Sequence, residues 1–144
     1  MNTVVPLDLD WLAVLIAFVA FFVVGAIWFL PKTFFGLWVK ALGSNPGDAP
    51  NVHGLPLTFG LTAVGAAVQV IALAVVLEFV AAATGPVGWL GGGLVGLLLG
   101  VGIAAASSLS HRLFSGQGLR VWLIEVGNDI VALTVAGVIL GAFG

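Results

Sequence analysis

The sequence predicts an all-α polytopic membrane protein: four transmembrane helices in an antiparallel bundle, with a short interfacial helix between the first and second spans. Three observations carry this. Of 144 residues, 61% are hydrophobic and 7% charged, against about 25% charged in a soluble domain, so a water-facing surface cannot be built. The apolar residues form four continuous runs, each long enough for the roughly 20 helical residues that a hydrocarbon core about 30 Å thick requires. Those runs lack the roughly ten-residue alternation of a membrane barrel. Residues 1–144 therefore read as a single domain, with no soluble module.

The first span, Trp11–Leu30, carries no charge. Its N-terminal flank lacks the positive n-region of a cleaved signal, so it reads as an anchor. Thr33–Leu42 then places Phe34, Phe35, Trp38 and Leu42 at near-helical spacing, with Lys40 free to reach water, which predicts a short helix lying in the interface. Residues 43–51, rich in Gly, Asn and Pro, read as a turn-rich loop, and no phosphate-binding glycine pattern follows a strand here. The second span, Pro56–Ala83, is apolar apart from Thr58, Thr62, Gln69 and Glu78. The third, Val87–Leu109, is uncharged and carries Ser107 and Ser108 near its end. The fourth, Leu119–Phe143, is interrupted by Arg120, Glu125, Asn128 and Asp129. All five tryptophans (Trp11, Trp28, Trp38, Trp89, Trp122) fall near expected boundaries, where indoles favour the membrane–water interface.

All four basic residues lie in two connections: Lys32 and Lys40 after span one, Arg112 and Arg120 around the turn between spans three and four. Four spans place both connections on one side, so the positive-inside rule predicts that both are cytoplasmic and both termini outside. The absence of cysteine excludes a disulfide framework, a thiolate nucleophile and cysteine-ligated metals. An acidic pI near 5.4 excludes a basic nucleic-acid binder. His53 and His111 lie at the cytoplasmic side, outside the apolar centre where a haem-ligating pair would sit. No metal-ligand cluster, HExxH or Ser/His/Asp set is present, so no catalytic residue, metal or other cofactor is expected.

Small residues recur at every fourth position of span three: Gly92, Gly96, Gly100, Ala104 and Ser108. Span four carries Gly137 and Gly141, and span two carries Ala63 and Ala67, besides Thr58, Thr62 and Ala66. Lipid gives no hydrophobic drive between helices, so association depends on close backbone packing, which such stripes permit. The stripes predict packing within one bundle, or a homo-oligomer seam along span three.

Glu125, Asn128 and Asp129 are the most informative positions. Their i, i+3, i+4 spacing puts all three on one face of span four. Asp129 lies about 13 Å along the helix from Arg120, near mid-depth. An acid at the bilayer centre costs roughly 2.5–3.5 kcal/mol on insertion scales, and is a functional candidate by default. Folding the last two spans about Ser115–Gly116 sets Glu125 opposite Ala106–Ser108 and Asp129 opposite Gly102–Ala104. Ser107 and Ser108 could then donate to Glu125, with His111 and Arg112 one turn away. Gln69 is the expected intrachain partner of Asp129, and Glu78 is expected to snorkel outward.

Two segments also resemble a bacterial family of small four-helix membrane proteins known only as a domain of unknown function. The first is Trp28-Phe29-Leu30-Pro31-Lys32-Thr33-Phe34-Phe35-Gly36-Leu37-Trp38. The second is Leu123-Ile124-Glu125-Val126-Gly127-Asn128-Asp129-Ile130-Val131-Ala132-Leu133, followed by Gly137-Val138-Ile139-Leu140-Gly141. Asn128 stands where that pattern more often has an aromatic. The resemblance implies the four-span architecture and placement in a bacterial inner membrane, without an activity or ligand.

Three functions fit these residues. The polar face of span four binds or conducts a proton or small cation, with Glu125, Asn128, Asp129 and Gln69 as ligands. Alternatively the chain is a non-catalytic accessory or scaffold subunit of a larger membrane complex, in which Glu125 pairs with Arg112 or His111 and a protonated Asp129 fixes helix register. Third is an intramembrane enzyme using Glu125, Asp129 and His111. The expected partners are the lipid bilayer and further copies or subunits.

Overall fold

The computed structural model describes residues 4–44 and 54–144; most of the predicted turn-rich loop, and His53, lie outside the described residues. Seven helical segments follow in order: α1 (Trp11–Trp28), α2 (Phe35–Ala41), α3 (Leu55–Thr84), α4 (Gly88–Leu99), a π-helical segment (Gly100–Ala105), α5 (Ala106–Phe114) and α6 (Gly118–Phe143). Because α4 runs through the π segment into α5, four helices are long and apolar enough to cross a membrane: α1, α3, the continuous Gly88–Phe114 rod and α6. No strand occurs among the described residues. A helix suits hydrocarbon because it satisfies its backbone N–H and C=O groups within its own segment.

The element ends follow from local chemistry. Asp10 Oδ1 accepts from the backbone N–H groups of Leu12 (3.0 Å) and Ala13 (3.1 Å), capping the start of α1. At the other end Thr33 Oγ1 lies 2.5–3.0 Å from the carbonyls of Ile27, Trp28 and Leu30, acceptors that a helix terminus leaves without an intrahelical donor. Gly85, with φ +87°, stops α3 in a conformation that side chains resist, and Pro86 follows. The last turn of the third span corrects its predicted end at Leu109: the helix continues to Phe114. Its final turns carry Ser107, Ser108, Ser110, His111 and Arg112, an amphipathic composition that an apolar-run criterion cuts short.

Helix α6 is the hub, packing on α4, α1, α5, α3 and α2. Its closest contact is with α4. A methyl group added at Gly92 would overlap the carbonyl oxygen of Gly137; at Gly96 it would overlap that of Leu133, and at Gly141 that of Gly88. Numbers rising along α4 meet numbers falling along α6, so these two helices run in opposite directions. Gly92 and Gly96 of the α4 stripe meet α6 backbone within the chain, the bundle packing that the stripe predicted as one of its two uses. A methyl at Gly100 would stand 3.0 Å from Ile130 Cα. That sets Asp129 at the level of Gly100 and Val101, not of Gly102–Ala104. The π segment accounts for part of the offset: its i→i+5 bonds place an additional residue in the turn, which a symmetric hairpin does not anticipate.

The core joins Ala13, Ala17 and Phe21 of α1, Val70, Leu73 and Leu77 of α3, and Ala132, Ala136 and Leu140 of α6. No polar or charged residue is fully buried among the described residues, whereas large apolar side chains such as Leu12, Val19, Leu61, Val68, Leu94 and Leu98 point outward. That distribution is the reverse of a water-soluble surface and suits a lipid one.

Candidate functional site

The functional residues predicted on α6 separate into two groups. Glu125 closes a four-element clasp. One carboxylate oxygen, Oε2, pairs with Arg112 Nε of α5 at 2.5 Å. The other, Oε1, accepts from Trp38 Nε1 of α2 at 3.0 Å. Arg112 in turn donates to Gln117 Oε1 in the turn between α5 and α6 at 2.8 Å. A carboxylate engaged by a guanidinium and an indole has both oxygens in use, and here it ties α2 and α5 to α6. His111, the alternative partner, is exposed.

The predicted donors to Glu125 face elsewhere. Ser107 Oγ donates to the Ala104 carbonyl (3.3 Å) and Ser108 Oγ to that of Ala105 (3.1 Å), the local back-bonding that helical serines adopt. Trp122 Nε1 donates to the same Ala105 carbonyl (3.0 Å) and lies 3.2 Å from Ser108 Oγ. The π segment ends at Ala105, and changed hydrogen bonding in a π turn brings carbonyls within reach of side-chain donors. Ala104, on the predicted packing stripe, lies against the core.

One turn further along α6, Trp28 of α1 lies over Gly127. Its Nε1 donates to the Ile124 carbonyl at 2.9 Å, and a methyl at Gly127 would come within 2.7 Å of the ring. Only glycine lets the indole approach the α6 backbone this closely. Trp28 also stacks on Phe34, with ring centroids 4.4 Å apart, and Phe29 meets Trp38 edge-on at 5.6 Å. Beside this contact, Asn128 Oδ1 is buried without a hydrogen-bond donor, facing α1 at Gly25, where an added methyl would stand 3.8 Å away. Asp129 is half-buried next to it.

Gln69, the expected partner of Asp129, is half-buried on α3, and no hydrogen bond joins the two among the described residues. The face of α3 turned to the core carries Ala66, Val70, Leu73 and Leu77, which leaves Gln69 on a flank. Glu78 is half-buried on the same helix. The four residues predicted as ion ligands therefore do not form one cluster. Asn128 and Asp129 stay together, Glu125 belongs to the clasp, and Gln69 stands apart. No group of three or more His, Cys, Asp or Glu side chains able to hold a metal ion occurs among the described residues.

The residues that sequence reasoning missed are Trp28, Trp38, Trp122, Gly127 and Gln117. A tryptophan near a span boundary signals an interface position and does not name an acceptor for its N–H. Three indole N–H groups find intramolecular acceptors, as a sheltered indole N–H usually must.

The family model described as "Protein of unknown function (DUF1761)" matches residues 12–141. The chain belongs to that family. The match takes in the clasp, the Asn128–Asp129 pair and the α4–α6 glycines, so every feature of the site lies within the DUF1761 portion. No curated protein and no solved structure matches this chain.

Proposed function

We propose that this DUF1761 protein is a non-enzymatic integral membrane bundle in which Asn128 and Asp129 take up a proton or a small cation. The observation that carries the reading is Asn128 Oδ1, a buried acceptor with no donor, beside a carboxylate in the middle of a membrane-crossing helix. An unmet buried acceptor is costly, and intramembrane acids mark ion or proton sites by default. A proton or cation supplies the positive charge that such a pair lacks.

The accessory-subunit reading draws on a different observation, the Glu125 clasp, where the polar residues serve to hold helices together. Proteoliposomes separate the two. On the binding reading, intrinsic fluorescence of the wild type, reported by Trp28 one turn from Asn128, responds to pH or to added sodium, and Asp129→Asn abolishes the response. A response unchanged in Asp129→Asn overturns the assignment. Ion flux measured in the same vesicles tests conduction.

The orientation proposed is with both termini outside a bacterial inner membrane. Lys40 and Arg120 line one groove, and Arg112 shares Glu125 with Trp38 of α2. These three cations gather at one end of the bundle, the end that the positive-inside rule assigns to the cytoplasm. Cysteines introduced at Ser44 and Gly144 test this, since labelling of Ser44→Cys from outside the cell would reverse it.

A further inference from the structure

A groove of about 400 Å³ opens between α2 and α6, lined by Leu37, Lys40 and Ala41 on one side and Arg120, Leu123 and Ile124 on the other. Among the described residues its walls are otherwise apolar, and its charges are the two cations. Leu37 is 57% exposed and Leu123 59% exposed, so both walls are open to a ligand. Among the described residues the one ion pair is Arg112–Glu125, and Lys40 and Arg120 both line the groove. The Trp38–Glu125 bond fastens α2 onto α6 and so fixes the distance between the two walls. The groove lies where the chain leaves its first membrane-crossing helix and enters its last.

We propose that this groove seats an anionic phospholipid, its phosphate between Lys40 and Arg120 and its acyl chain along Leu37, Leu123 and Ile124. Charge complementarity selects the occupant. A neutral lipid makes no use of the paired cations, and a free anion makes no use of the apolar walls, whereas basic pockets between membrane helices suit anionic headgroups. The site is separate from Asn128 and Asp129 and stands or falls independently of their role.

The full chain in detergent micelles is titrated with phosphatidylglycerol or phosphatidylcholine, and bound lipid is counted by native mass spectrometry. Phosphatidylglycerol binds the wild type more tightly than phosphatidylcholine. A basic residue near an anionic surface contributes about fivefold in affinity, so Lys40→Gln or Arg120→Gln costs about fivefold and the double variant about thirtyfold. Phosphatidylcholine binding stays unchanged, and Lys32→Gln, in the same connection but outside the groove, leaves the preference intact. Both side chains are exposed, and the single variants carry the test if the double variant loses helicity. Equal binding of both lipids by the wild type overturns the proposal, as does a preference that survives the substitutions. Displacement of the lipid by equimolar inorganic phosphate reassigns the groove to a free anion.

Discussion

Replacing Gly96 with alanine probes the contact on which the α4–α6 pair depends. The new methyl would overlap the Leu133 carbonyl oxygen and lie 2.9 Å from its carbon and 3.1 Å from Thr134 Cα. All three atoms are backbone, so no rotamer change relieves the clash and the helices must part. Carbon atoms rest at about 3.5–4.0 Å, and a radial gap of 0.5–1 Å forfeits about a quarter to a half of each dispersion contact. Overpacking of this kind costs about 1–3 kcal/mol. Alanine also gains about 0.5–1 kcal/mol over glycine within a helix, which would mask part of the loss. Gly65→Ala on α3 supplies the reference, because a methyl there meets nothing within 4 Å. The propensity gain cancels in the difference between the two variants, leaving a cost of about 1–3 kcal/mol at the α4–α6 contact. Unfolding by sodium dodecyl sulfate, followed by far-ultraviolet circular dichroism in mixed micelles, measures that difference. A Gly96→Ala protein as stable as Gly65→Ala would refute the close-packing argument.

Other substitutions address the polar contacts. Glu125→Ala removes the shared acceptor of Trp38 and Arg112 and is expected to destabilise by about 1–3 kcal/mol, with Glu125→Gln costing less; a cycle with Trp38→Phe isolates the coupling to α2. Trp122→Phe removes one of the two side-chain donors to the Ala105 carbonyl and should cost about 0.5–1.5 kcal/mol in the same assay. Asn128→Leu replaces an unmet acceptor with an apolar side chain of similar size, so it should leave the fold as stable or more so while abolishing the fluorescence response to pH or sodium. A large loss of stability in Asn128→Leu would instead assign the amide a structural role.

The four spans were legible because length and hydropathy alone meet the demands of a bilayer, and α2 because its aromatics repeat at helical spacing. The glycine stripe was legible as a packing surface, but its partner was not. Spacing along α4 cannot distinguish Gly137 of the same chain from a second copy, and only the antiparallel register decides. The clasp was half legible: Arg112 was a named candidate for Glu125. Trp38 was not, since nothing in a sequence says which acceptor an indole on another helix will reach. The level of Asp129 against the third span differs from a symmetric hairpin because a π turn has no composition signal beyond Gly100 and Gly102, and Ser107 and Ser108 bond back to their own helix.

Because α6 follows in the chain every element it holds, assembly in the membrane has a fixed order of debts. Trp28, Trp38 and Arg112 all precede Ile124 and Glu125 in the sequence, so each donor emerges from synthesis ahead of the acceptor it finally meets. Until α6 inserts, two indole donors and a guanidinium must be satisfied by water, headgroups or an insertion chaperone. A truncation before Gly118 would leave both indole donors without their acceptors on α6 and Arg112 with Gln117 alone.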